Sequence, residues 1–201
     1  FTIVKKYGGL FIADEVQTGF GRTGKKWFGI EHWEVEPDII TCAKGMANGV
    51  PIGCTITRPE IADSYKGLTI STFGGNPVTC VAAKATIDLI EEERLMDNAH
   101  EVGTHFRNGL EALKEKHAAI GDVRGMGLMQ GVELVMDRKT KEPAPQLANQ
   151  VLERCRANGL IVGKGGLYAN VVRMSPPLNI SKDDIDAALS ALDKSLTEAA
   201  A

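Results

Sequence analysis

Two ionisable residues of opposite charge, Asp14 and Lys44, each come directly after a short apolar segment. Residues 10–13 end in Asp14, and residues 39–43 end in Lys44, which glycine and asparagine residues follow. Short apolar runs bounded by turn-forming residues are typical of strands. A carboxylate and an amine at the carboxyl ends of two strands indicate a site at one edge of a sheet. For Lys44 taken alone, the alternative is a surface lysine after an edge strand.

The glycines between these two residues resemble two nucleotide-binding fingerprints. Residues 19–24 spell G-x-G-x-x-G after a strand, and residues 19–25 begin like a phosphate-binding P-loop. Both fingerprints require a helix directly after the glycines, and a P-loop requires Ser or Thr where Lys26 stands. Residues 25–38 show no sustained helical periodicity, so a glycine-rich aromatic loop over a cleft is the favoured interpretation.

A second polar loop precedes the first long helical pattern. Thr72 and two glycines come before Asn76, which suits a helix N-cap, and Pro77, which suits the first helical position. Free N–H groups at a helix N-terminus together with a nearby hydroxyl favour an anion such as a phosphate. A plain capped helix is the alternative.

The elements that position these residues change in character near residue 95, which predicts two domains, residues 1–94 and 95–201. Ser181 and Asp184 predict a capping box at the start of the last helix. The second half therefore reads as a small α+β domain. Its other predicted elements are helices at about 96–117 and 146–158 and strands at 120–124, 128–135, 160–162 and 170–174.

Composition argues against several classes of partner. The 201 residues are 43% hydrophobic with a formal net charge of −3, which gives no electrostatic reason to expect a nucleic acid or a membrane surface. No apolar run approaches the roughly 18 residues that span a bilayer. The four cysteines include no C-x-x-C pair, so we expect reduced thiols in an intracellular protein. The four histidines lack metal-binding spacing and are expected on helix surfaces.

Three motifs, residues 10–22, 37–45 and 72–77, resemble those of the class III aminotransferases, which depend on pyridoxal 5'-phosphate (PLP), and they occur in the family's order. Residues 121–129 and 159–163 look most like the alanine–glyoxylate branch. The resemblance covers nearly the whole chain. It implies the end of a fold-type I large domain, which is an α/β domain with a mixed, mostly parallel sheet between helices, followed by the small α+β domain.

The resemblance implies two catalytic residues. Lys44 matches the lysine that forms the Schiff base, and an ammonium group must lose its proton before it can attack an aldehyde. Asp14 matches the carboxylate paired with the pyridinium nitrogen. Such a pair at about 4 Å and an effective dielectric constant near 20 is worth about 4 kcal/mol, roughly a thousandfold in the protonation equilibrium of the ring. Protonation makes the ring an electron sink.

Four further residues match binding positions of the family. Val16 resembles the side chain that packs on the ring face, and Gln17 the donor to its phenolic oxygen. Thr72 matches the hydroxyl that binds the cofactor phosphate, in this family from the neighbouring subunit. Arg173 matches the arginine that clamps the substrate α-carboxylate with two parallel N–H bonds, which a lysine cannot supply.

Class III enzymes are considerably longer than this chain. Their first half carries the glycine-rich loop that grips the phosphate and the aromatic residue stacked on the ring, and neither is present here. We therefore expect the C-terminal half of a homodimeric or larger homo-oligomeric enzyme of the cytoplasm or mitochondrion, inactive as residues 1–201 alone.

Three functions are compatible with the sequence. The first is transamination between an amino acid and a 2-oxo acid. The second is another class III reaction, of the 4-aminobutyrate or ornithine transaminase, decarboxylase or epimerase type, which uses the same lysine and aspartate. The third is a non-catalytic fragment or a nicotinamide-binding domain that uses residues 19–24.

Overall fold

The structure, a computed structural model, describes residues 1–200 and divides into two compact units. The first unit is Phe1–Met96, and the second begins at Asp97. That the first unit is part of a larger PLP-binding domain, with a boundary at residues 94 and 95, stays a prediction.

The first unit contains a three-stranded sheet in the order β1-β2-β3. Strands β1 and β2 are parallel, and β2 and β3 are antiparallel. Within residues 1–200 β1 pairs on one side only, and its apolar residues Leu10 and Ile12 are 51% and 56% exposed. The elements of this unit are α1 (Thr2–Lys6), β1 (Ile12–Asp14), a 3₁₀ helix (Gly29–Trp33), β2 (Ile39–Cys42), a second 3₁₀ helix (Lys44–Ala47), β3 (Cys54–Thr57), α2 (Pro59–Ala62) and α3 (Pro77–Glu92).

A buried carboxylate, Asp38, fixes the amino end of β2. Its oxygens accept from Lys5 Nζ at 2.8 Å and from the backbone N–H of Phe11 at 2.8 Å, and Arg58 Nη2 lies 2.9 Å away. The hydrogen bond from Lys5, then that from Phe11, and more weakly Arg58 hold the pKa of Asp38 at about 2. These contacts tie α1 and the entry to β1 to the start of β2 and to the residue after β3.

Helix α3 begins as the sequence predicts. The Asn76 side chain accepts from the backbone N–H of Thr79 at 3.1 Å, and Pro77 occupies the first helical position. The N-cap prediction is therefore confirmed. Helix α3 packs against the 3₁₀ helix Lys44–Ala47, so it supports the segment that follows β2.

The second unit is built on a four-stranded antiparallel sheet in the order β4-β5-β7-β6. Its helices bury one apolar core that includes Phe106, Leu110, Val132, Val151 and Leu192. The predicted capping box of the last helix is confirmed at Ser181 and Asp184. The elements are α4 (Leu95–Lys116), which begins at the boundary, β4 (Ile120–Met126), β5 (Met129–Leu134), α5 (Pro145–Ala157), β6 (Gly163–Gly165), β7 (Val171–Met174) and α6 (Lys182–Ala199).

The predicted strand at residues 160–162 is wrong. The backbone N–H of Leu160 donates to the Cys155 carbonyl at 2.8 Å, and Gly159 has a φ of +80°, so this segment closes the end of α5. Leu160 and Val162 pack against the core, and pairing in the sheet starts only at β6. Of the three apolar side chains that suggested a strand, Leu160 and Val162 thus pack beside the helix end and Ile161 is exposed.

Helix α4 has two close packing contacts, both at glycines. A Cβ at Gly103 would lie 2.4 Å from the carbonyl carbon and oxygen of Gly127, in the turn between β4 and β5. A Cβ at Gly109 would lie 2.2 Å from the end of the Leu189 side chain on α6. The first obstacle is backbone, whereas the second is a half-buried, rotatable side chain.

Candidate active site

Asp14 ends β1 with its carboxylate on the exposed side of the sheet. Its Oδ1 atom accepts from the backbone N–H of Val16 at 3.1 Å and from the Thr41 hydroxyl at 3.3 Å. Thr41 is the residue of β2 directly in register with Asp14. The neighbouring strand therefore orients the carboxylate. Sequence reasoning did not identify Thr41 as part of the site, because only the register shows that the two residues are adjacent.

Lys44 leaves the carboxyl end of β2, three residues after the register partner of Asp14. It is exposed, and its backbone has a φ of +49°, in the left-handed region that non-glycine residues adopt uncommonly. The buried Cys42 precedes it and the buried Ala47 follows it, so both ends of this bend are fixed in the core. Because β1 and β2 are parallel, the predicted carboxylate and amine leave the same edge of the sheet.

Glu15 is a buried carboxylate that sequence reasoning missed. It is 3% exposed, and its oxygens accept from the backbone N–H groups of Gly29 at 2.8 Å and Ile30 at 2.6 Å and from the Thr18 hydroxyl at 2.5 Å. Asp14 is exposed and Glu15 buried, as the alternation of side chains in and after a strand requires. Glu15 thus anchors the turn after β1 to the 3₁₀ helix Gly29–Trp33.

The segment between β1 and that 3₁₀ helix is a series of turns, and no α-helix forms within residues 15–38. Both nucleotide-binding fingerprints need such a helix, so neither is built here. Phe20 and Phe28 instead pack edge to face with ring centroids 5.9 Å apart, and His32 Nε2 lies 3.0 Å from the Thr23 hydroxyl oxygen. The segment is an ordered aromatic loop.

The predicted cofactor-contacting residues lie in different parts of the first unit. Val16 is half-buried and Gln17 is exposed, both in the turn that Glu15 anchors. Thr72 is exposed in the loop before α3. The neighbouring Ser71 hydroxyl accepts from the backbone N–H of Gly74 at 3.1 Å, which shapes that loop.

Arg173 belongs to the second unit, where it is an exposed residue of β7. Its register partners are Gly131 on β5 and Gly163 on β6. A Cβ at Gly163 would lie 3.7 Å from Nε and 3.8 Å from Nη2 of Arg173, so the guanidinium lies over that glycine. Because both register partners are glycines, no side chain stands directly beside Arg173 on either neighbouring strand.

Neither a metal-binding cluster nor a membrane-spanning helix is found among the described residues. No group of three or more His, Cys, Asp or Glu residues is arranged to hold a metal ion. No helix among residues 1–200 is long and apolar enough to cross a bilayer.

Comparisons with known proteins agree with the resemblance seen in the motifs. The family described as aminotransferase class III matches residues 1–196. An Arabidopsis thaliana protein named alanine–glyoxylate aminotransferase 2 homolog 2, mitochondrial, is 49% identical over 199 residues, which are 98% of this chain and 42% of that protein. A Thermococcus litoralis leucine/methionine racemase is 46% identical over 197 residues, which are 98% of this chain and 44% of the racemase.

The solved structures show the same relationship. The crystal structure of a Bacillus anthracis aminotransferase superposes with a TM-score of 0.92 at 37% identity, over 98% of this chain and 46% of that one. The predicted fold class is thereby confirmed, and the chain spans less than half the length of these relatives. This chain belongs to the class III aminotransferase family.

Proposed function

We propose that the protein containing this chain is a PLP-dependent transaminase that moves an amino group from an amino acid to a 2-oxo acid. The observation that carries the proposal is the pairing of β1 and β2. These parallel strands deliver Asp14 and Lys44 to one edge of the sheet, and Thr41 and Val16 orient the Asp14 carboxylate. The similarity to an alanine–glyoxylate aminotransferase supports that subtype.

The residues present fit three of the groups that PLP presents. Asp14 offers a carboxylate for the ring nitrogen, Lys44 an exposed amine for the aldehyde, and Thr72 an exposed hydroxyl for the phosphate. Val16 and Gln17, next to Asp14, would contact the ring face and its phenolic oxygen. When bound, PLP supplies an electron-withdrawing ring that stabilises negative charge at the substrate Cα.

Lys44 has two tasks in this proposal. Its Nζ atom would hold the cofactor through the aldehyde, and the same nitrogen would take the proton from the substrate Cα and later return it to the substrate. The left-handed backbone at Lys44 lies between two buried residues, Cys42 and Ala47. This arrangement fixes the origin of the side chain while leaving the side chain itself free to move between the two positions.

Asp14 and Arg173 would each pair with an opposite charge, Asp14 with the ring nitrogen of the cofactor and Arg173 with the α-carboxylate of the substrate. The Asp14 carboxylate would accept a hydrogen bond from the ring N–H, and its contacts with Val16 and Thr41 already hold it in one orientation. Arg173 would bind the substrate α-carboxylate through two parallel hydrogen bonds, in the space left by Gly131 and Gly163.

A second candidate is racemisation, or another class III reaction of the decarboxylase or epimerase type. The 46% identity to a leucine/methionine racemase supports it. The same lysine and aspartate would serve, because the outcome depends on which bond at Cα is broken and where the proton returns.

The proposal includes the setting of the enzyme. We propose a homodimer or larger homo-oligomer, in which Thr72 contributes to the phosphate site of the neighbouring subunit. The proposed substrates are small amino acids and 2-oxo acids, and the proposed compartment is the cytoplasm or the mitochondrion. The mitochondrial name of the Arabidopsis relative supports the latter.

The test uses the full-length protein loaded with PLP. Borohydride reduction followed by peptide mapping should place the pyridoxyl label on Lys44, and a label on Lys25, Lys26 or Lys164 instead would contradict the assignment. A panel of amino donors and 2-oxo acids then measures transamination. Chiral chromatography of the amino acids in the same reactions measures racemisation, so that racemised amino acid without keto-acid turnover would favour the second candidate.

A further inference from the structure

Cys42 and Cys54 face each other across the antiparallel strands β2 and β3. They are direct cross-strand partners, and both are free thiols. Directly opposed residues project from the same face of a sheet, so the two thiols lie on one face of this one. Cys42 is buried and Cys54 is partly exposed. The sheet therefore holds a dithiol pair.

The ladder places this pair at a hydrogen-bonded position. The Thr41 carbonyl accepts from the backbone N–H of Glu15 at 2.9 Å, so the peptide groups of Thr41 face β1 and those of the next residue, Cys42, face β3. Cα atoms at such positions are about 5.5 Å apart, within the range of about 4.4–6.8 Å that a disulfide spans. The Cβ atoms must approach about 1.7 Å closer than in an undistorted ladder, from about 5.5 Å to about 3.8 Å.

The pair lies at the ends of its two strands. Cys42 is the last residue of β2 and Cys54 is the first residue of β3. Closing a bond there shifts strand ends and leaves the interior of the ladder in place. A disulfide that needs such a shift is strained, and strained disulfides are the readily reduced ones.

We propose that Cys42 and Cys54 form a site of reversible disulfide formation that reacts with low-molecular-weight disulfides. The Cys54 thiolate attacks one sulfur of such a disulfide, a mixed disulfide forms, and the first small thiolate leaves. Cys42 then loses its proton and attacks the Cys54 sulfur, which expels the second small thiolate. Two protein thiols are oxidised to one disulfide, and one small disulfide is reduced to two small thiols.

The environment of the pair decides the order of attack. Burial, then the neighbouring Cys54, and then the carboxylates of Glu15 and Asp14 raise the pKa of Cys42 to about 12. Cys42 is therefore a poor first nucleophile, and the less buried Cys54 reacts first. The closed bond encloses residues 43–53, which include Lys44.

The test treats the full-length protein with oxidised glutathione, alkylates the remaining thiols and maps the peptides without reduction. We expect a cross-linked peptide joining Cys42 to Cys54, which disappears after treatment with dithiothreitol. Cys42→Ser should abolish the cross-link and leave glutathione on Cys54, and Cys54→Ser should abolish both products. Cys80→Ser and Cys155→Ser, as matched controls, should leave the cross-link unchanged.

Two outcomes would overturn the proposal. One is an unaltered protein that accumulates glutathione on Cys54 without a cross-link to Cys42. The other is a protein in which both thiols stay alkylatable after prolonged oxidation. The peptide map of the unaltered protein distinguishes these outcomes even where a serine variant fails to fold.

Discussion

Gly103 gives a prediction whose size can be worked out from the packing of α4. Alanine there would place a Cβ 2.4 Å from two backbone atoms of Gly127. A favourable carbon contact needs about 3.5 Å, so the helix and the turn between β4 and β5 must separate by about 1 Å. Val102 and Phe106, which are 5% and 2% exposed, sit in the core beside this contact and would lose packing in the same shift.

Two opposing effects set the change in the free energy of unfolding that Gly103→Ala causes. Overpacking a core costs about 1–3 kcal/mol, and we take the upper value because backbone atoms cannot rotate away. Alanine is also a better helix former than glycine by about 1 kcal/mol. The net loss is about 2 kcal/mol, which lowers the melting temperature of a unit of this size by roughly 8–16 °C.

Gly109→Ala is the matched control, because it lies on the same helix and receives the same gain in helix propensity. Its obstacle is the end of the Leu189 side chain, which can rotate. Thermal unfolding followed by circular dichroism measures both variants, and hydrogen exchange in α4 and the β4–β5 hairpin localises the effect. Equal stability of Gly103→Ala and Gly109→Ala would contradict the predicted clash with the Gly127 backbone.

The remaining predictions concern charge. In the full-length enzyme, Asp14→Asn should lower kcat on the order of a thousandfold with little change in melting temperature, since the side chain is exposed; an unchanged kcat would show that Asp14 only caps the turn. Arg173→Lys should lower kcat/KM for α-amino acids by about 5–150-fold while cofactor binding survives. If the variant keeps the kcat/KM of the unaltered enzyme for all such substrates, Arg173 does not bind the α-carboxylate. Because its pKa is lowered to about 2, Asp38 stabilises the fold above its unfolded value of about 3.9 and loses that contribution as the pH falls towards 2. Asp38→Asn should therefore flatten the unfolding free energy between about pH 4 and 2 in acid titrations, whereas Asp88→Asn, which removes an exposed ion pair, should leave the slope nearly unchanged.

Features set by adjacent residues were predictable from the sequence. The caps at Asn76 and Ser181 depend on side chains that reach backbone groups three residues away, and both appear where the local pattern puts them. The ends of β1 and β2 were likewise visible, because a polar residue stops each apolar run.

Features set by distant residues were not predictable. Asp38 meets Lys5, which is 33 positions earlier, and Glu15 meets backbone groups 14 and 15 positions later. No local pattern indicates these partners, since they depend on how the chain returns through the sheet. The error at residues 160–162 is of another kind, because Leu160 and Val162 pack on the core from the segment that closes α5 and not from a strand.

The alternation at Asp14 and Glu15 has a consequence for how this chain tolerates mutation. Asp14 is exposed at the end of its strand, whereas Glu15 is buried and anchors a loop. Substitutions at these two neighbouring positions should therefore have different effects. Changes at position 14 should produce a folded protein whose activity is strongly reduced at every temperature. Changes at position 15 should produce a protein whose abundance depends on temperature, and selection at a permissive temperature would separate the two classes of allele.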